Sequence, residues 1–106
     1  MHSRNKLLDT IDRLSTVIIR HVAWRVRRMV EVLERYGPVT MQRLQKSNEH
    51  VIRSYLEAVA QAYGVDYSDL AEHVYREAMR WKSEPIDYFA DRVARNLVER
   101  LGAKHK

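Results

Sequence analysis

The chain has 106 residues and no cysteine, so one domain with its own core is expected over residues 1–106, and disulfide frameworks, thiol catalysis and Cys-based zinc sites are excluded. A hydrophobic fraction of 45% beside a charged fraction of 31% fits a soluble globular protein, and no unbroken apolar run is longer than that of Val17-Ile18-Ile19, which excludes a bilayer-spanning segment. Net charge is +5, with eight basic against four acidic residues in the first 36, which points to a polyanionic partner rather than a membrane or a small molecule.

The leading leucines are interleaved with charges, unlike the apolar heart of a secretory signal, so an intracellular or virion location is expected. Arginines outnumber lysines 14 to 5, and guanidinium suits bidentate phosphate contact. Asparagine and glutamine, three of each, are scarce enough to agree with a thermophilic source.

In chain order, the first segment carries Leu7, Ile11, Leu14, Ile18, Val22, Val26, Met29, Leu33 and Tyr36 at helical spacing and stops at Gly37-Pro38. The second carries Met41, Leu44, Ile52, Tyr55, Val59 and Ala62 and stops at Gly64. Tyr67, Leu70, Val74, Ala78 and Trp81 form the third, which the "KSEP" stretch separates from Ile86, Phe89, Ala90, Val93, Leu97 and Leu101, closed by Gly102. Ser3, Thr40, Asp66 and Ser83 stand where N-caps are wanted. The spacing predicts helices near 4–36, 40–63, 67–82 and 84–101 and a tail at 102–106. The fold class is therefore all-α: one long N-terminal helix and three shorter ones in a small bundle, with an αα-corner at Gly64.

The first helix is longer than a domain of this size is wide, so it must project or pair with another chain. From Arg13 to Val30 it holds five arginines and no acid. At about 100° per residue, Arg13, Arg20 and Arg27 fall within roughly 20° of the direction opposite the apolar series. Trp24 lies beside that stripe, Val17, His21 and Arg28 form a second flank, and Arg25 projects onto the apolar side. An ordinary solvated face would mix carboxylates among its arginines. Two readings stay open here: phosphate binding, or burial of the stripe and Trp24 under another protomer.

Residues 56–75, "LEAVAQAYGVDYSDLAEHVY", resemble the helix-turn-helix unit of DNA-binding regulators, with Ala60, Gly64, Val59, Tyr63, Val65 and Leu70 where that unit packs its two helices. The resemblance implies that Asp66, Tyr67, Ser68, Asp69, Ala71 and Glu72 face DNA, yet three of those six are carboxylates and none is a usual base reader. The earlier stretch "RYGPVTMQRLQKSNEHVIRSYL" is similar to a winged-helix element with a short second helix; within it Arg43, Lys46 and Arg53 are candidate backbone contacts. In architecture alone, a long arginine-striped helix followed by a compact helical part resembles the α-helical coat nucleoproteins of filamentous archaeal viruses, and that resemblance implies wrapping of double-stranded DNA.

Asp69, His73 and Glu77 share a helix face but lack a second cluster to complete a metal site. There is no Gly-rich phosphate loop, serine elbow or paired-carboxylate motif, so neither an enzyme nor a cofactor is expected. The expectation is an architectural protein that binds double-stranded DNA through its backbone, in a homo-oligomer or multi-subunit assembly. Its candidate contacts are Arg13, Arg20, His21, Trp24, Arg25, Arg27, Arg28, Arg43, Lys46 and Arg53. A helix-turn-helix regulator and a helical adaptor that never meets nucleic acid are the alternatives.

Overall fold

Among the described residues of a computed structural model, four helices follow in chain order: α1 (His2–Glu34), α2 (Met41–Tyr63), α3 (Tyr67–Arg80) and α4 (Ile86–Lys104). It describes the backbone of residues 2–104 and the side chains of 6–47, 50 and 52–103. Among the described residues no strand occurs, and the fold is all-α.

Local chemistry sets most helix ends. Thr40 takes an extended conformation and its hydroxyl accepts from the Arg43 amide at 3.2 Å, which caps the free amides of α2. At the other end Gly64 turns left-handed with φ 65°, and the Val65 amide returns to the Ala60 carbonyl at 3.0 Å. Asp66 holds the N-cap position of α3 with no side-chain cap bond. Three expected punctuation marks fall elsewhere. Helix α1 begins at His2, so Ser3 is inside its first turn and its side chain lies outside the described residues. Helix α4 begins after Pro85 rather than Ser83, and it runs through Gly102, whose missing side chain faces the Asp12 carboxylate.

Helix α1 is the spine. Its 33 residues amount to about 50 Å at 1.5 Å rise, close to the 53 Å long dimension of the molecule. It packs most extensively on α4, then on α2, then on α3. One core results, built around Ile19, Val22, Val26 and Val30 of α1, Leu44, Ile52, Leu56 and Val59 of α2, Val74 and Tyr75 of α3, and Phe89 and Val93 of α4.

The buried face of α1 is not the expected one. Burial centres on Ser15, Ile19, Val22, Ala23, Val26, Arg27 and Val30. On the helical wheel this direction is turned by roughly 90° from the centre of the predicted apolar stripe. Leu7, Leu14 and Tyr36, expected inside, are exposed. Three helices cover one side of α1, so a broad sector is buried whatever its chemistry, and small residues such as Ser15 and Ala23 serve where helices approach closely. A hydrophobic pattern does not select either of them.

Candidate nucleic-acid interface

The expected stripe of Arg13, Arg20 and Arg27 does not survive as one surface. Arg27 is only 4% exposed. Its Nη1 donates to the Trp81 carbonyl at 3.1 Å, its Nη2 donates to the Glu84 carbonyl, and its guanidinium lies 5.2 Å from the centre of the Phe89 ring. Residues 81–84 join α3 to α4, so Arg27 supplies donors to carbonyls that this connection leaves outside a helix. Among the described residues its buried Nε has no hydrogen-bond partner.

Arg92 completes the same knot from α4. It donates to Glu84 at 3.0 and 3.2 Å and to Glu77 at 3.3 Å, and stacks between Trp81 and Phe89. Hydrogen bonds to both carboxylates hold the Arg92 guanidinium firmly protonated. Arg20 is exposed yet bonded, its Nε lying 2.8 Å from Asp91 of α4. The acid-free run along α1 is therefore bordered by acids from another helix.

The open face of α1 lies between α2 and α4. Arg13, His21, Trp24, Arg25 and Arg28 all reach it, and Arg25, expected against the core, is exposed. Arg28 lies 5.5 Å from the Trp24 ring and donates to Glu31 at 3.3 Å. His21 meets the Tyr55 ring edge-on at 5.6 Å, which marks the α2 border. Towards α4, Val17, Arg20, His21, Trp24 and Asp87 line a shallow groove of about 300 Å³. Among the described residues no carboxylate is within ion-pair distance of Arg13, Arg25 or Arg35. Arg35, exposed on the same side, was missed because the acid-free run stops at Glu31; its seven-residue spacing from Arg28 was the available signal.

Arg43, Lys46 and Arg53 lie elsewhere. On the wheel of α2 they fall on the side away from Tyr55 and hence away from α1. Arg43 donates to the Pro38 carbonyl at 2.6 Å. Arg53 bonds Glu57 at 2.8 Å and stacks 5.2 Å from the Tyr67 ring of α3, so it belongs to the α2/α3 packing. Lys46 is exposed. Within the helix-turn-helix-like stretch, Ala71 is buried and does not face solvent. Glu77 is engaged by Arg92, and among the described residues no group of three potential metal ligands comes together. Burial lowers the His73 pKa below the usual histidine value, an effect opposed by the Glu77 charge and reinforced by Arg100, Arg76 and Arg92.

Among the described residues no helix is long and apolar enough to cross a membrane. Compared with family models, with curated proteins and with solved structures, the chain matches none.

Proposed function

We propose that this is a non-enzymatic DNA-binding protein of architectural type, holding double-stranded DNA by its phosphates along the open face of α1. The observation that carries this reading is a row of exposed guanidinium groups, Arg13, Arg25 and Arg28 on α1 and Arg35 just past its end; among the described residues Arg13, Arg25 and Arg35 have no carboxylate partner. Arg13 to Arg28 spans about 22 Å of helix axis, with Arg35 just beyond the helix end, and duplex DNA offers a charge every 1.7 Å or so of its own axis, so several phosphates lie within reach of a single chain. Trp24, held against Arg28, would pack on sugar. Arg20 contributes less because it must leave Asp91, and Arg27 contributes nothing. Packaging of a nucleoid or of a viral genome is the role that sequence-independent backbone contact serves.

The test is a salt titration with two unrelated duplexes. Equal affinities with a steep dependence on salt are expected across about 50 to 400 mM. In the Arg25→Ala/Arg28→Ala variant the slope of log K against log salt should flatten by about two units, since each lost phosphate contact removes about 0.9. An unchanged slope removes the α1 face from the account. Marked preference for one duplex would instead favour a sequence-reading regulator, and absence of binding would leave the helical adaptor.

A further inference from the structure

The same face of α1 carries a second feature that phosphate binding does not use. Leu7, Leu14 and Val17 are 60%, 59% and 66% exposed, within three turns of one another. Large apolar side chains scattered singly over a surface are ordinary, whereas a contiguous group marks a contact. Leu7, Ile11, Leu14 and Ile18 follow one another at intervals of four, three and four, the spacing of a coiled-coil seam, with Ile11 and Ile18 half-covered by the core and half open. Thr10 and Val17 flank the seam on its open side, so the strip formed by Leu7, Thr10, Ile11, Leu14, Val17 and Ile18 holds no charged side chain, and Arg13 lies beside it. Continued at the same spacing, the seam positions become His21, Arg25, Arg28, Val32 and Arg35. From Leu7 onward the seam positions thus change from aliphatic to mostly basic near residue 20.

We propose that the strip Leu7–Ile11–Leu14–Ile18 is the contact face of an antiparallel dimer of this chain, with its two-fold axis between Ile11 and Leu14. One observation singles out a second copy as the occupant, and a second sets its direction. The strip is its own complement: reversed about a point between residues 12 and 13, Leu7 meets Ile18 of the second copy and Ile11 meets its Leu14, so every Leu packs on an Ile. An isologous interface needs this self-matching, and a foreign partner does not.

The charge division selects the direction. Parallel pairing along the whole seam would set Arg25, Arg28 and Arg35 against their own copies. In the antiparallel register the two Arg25 side chains are about 38 Å apart along the axis, several Debye lengths at about 0.1 M salt. Both basic halves then point outward from the two ends of the dimer. The inference does not rest on duplex binding, because none of the strip's own residues is a proposed phosphate contact.

The contact spans only three turns on each chain, so a dimer weaker than a permanent one is expected, visible by sedimentation equilibrium at about 10 to 300 µM. Dimerisation should strengthen between about 0.1 and 1 M NaCl, because salt screens two positive molecules and favours apolar contact. Duplex binding responds in the opposite sense, so failure of one proposal is distinguishable from failure of the other.

Leu14→Glu should weaken the dimer at least about tenfold. Leu7→Glu, at an equally exposed position, should do the same, and circular dichroism confirms that each variant is folded. Since the chain has no cysteine, mixing Leu7→Cys with Ile18→Cys reads the register: a mixed disulfide is expected. A wild-type chain that stays monomeric at every concentration and salt, a dimer indifferent to both glutamates, or Leu7→Cys linking to itself in preference to Ile18→Cys would each overturn the proposal.

Discussion

Arg27 and Arg20 stand seven residues apart on one helix and do opposite things. Arg27 is enclosed, with two connecting carbonyls and an aromatic ring as its surroundings. Arg27→Ala would take the guanidinium from the Glu84 carbonyl, leave the Trp81 carbonyl only the Glu84 amide, and open a gap beside Phe89. A loss of about 2–4 kcal/mol in urea unfolding is expected, with the salt slope of duplex binding unchanged. Arg20→Ala removes one exposed ion pair and should stay within about 0.5 kcal/mol of the parent.

Tyr63 is a second residue whose surroundings set a measurable property. Its buried hydroxyl donates to Asp12 Oδ1 at 2.5 Å, and burial first, then the bond to Asp12, push its pKa from 10.0 up to about 12. A raised pKa means that the neutral phenol is favoured by folding. Its contribution is whole below pH 10 and fades as pH rises through about 12. Stability measured against pH should therefore fall over that interval by more in the parent than in Tyr63→Phe; equal curves would show that Tyr63 titrates normally.

At the scale of the helices, the glycines separate into those that end an element and one that permits a contact. Gly64 is left-handed with open space where a Cβ would stand, so Gly64→Ala meets only a backbone cost of about 1–2 kcal/mol. Gly102 lies in the last turn of α4, where a Cβ would reach Asp12 Oδ2 at 3.5 Å, an ordinary contact. Gly102→Ala should then be neutral or slightly stabilising, so thermal melts should fall for Gly64→Ala and hold or rise for Gly102→Ala.

The Thr40 cap and the Gly64 stop were visible in sequence because both act within a few residues of their own helix. The start of α4 was not. Ser83 has the right chemistry for a cap, but residues 81–84 are drawn into bonds with Arg27 and Arg92, more than fifty residues away in the first case. Long-range partners override a local signal wherever they supply donors of their own.

For the molecule as a whole, the amino-acid order was enough to establish helical class, the approximate extent of each helix and the basic weighting of the first third. Period, caps and charge count are properties of neighbours along the chain. It also identified Arg13, His21, Trp24, Arg25 and Arg28 as members of a surface group, although for Arg25 the side assigned was wrong. Which sector of α1 the other helices would cover was beyond it.

A wheel weights each apolar residue equally and finds their mean direction. Burial is decided by where α2, α3 and α4 can lie together, and that solution hides Ser15 and Arg27 while leaving Leu7, Leu14 and Val17 in solvent. The stripe of arginines thereby became two things, an internal brace at the α3–α4 connection and an open basic face. Leu7 and Leu14, aliphatic positions that a single helix would turn inward, were left open to solvent. Composition determined what kind of helix α1 is, and tertiary packing alone decided which way it faces, because the free energy of burial belongs to the joint arrangement of four helices and not to any one of them.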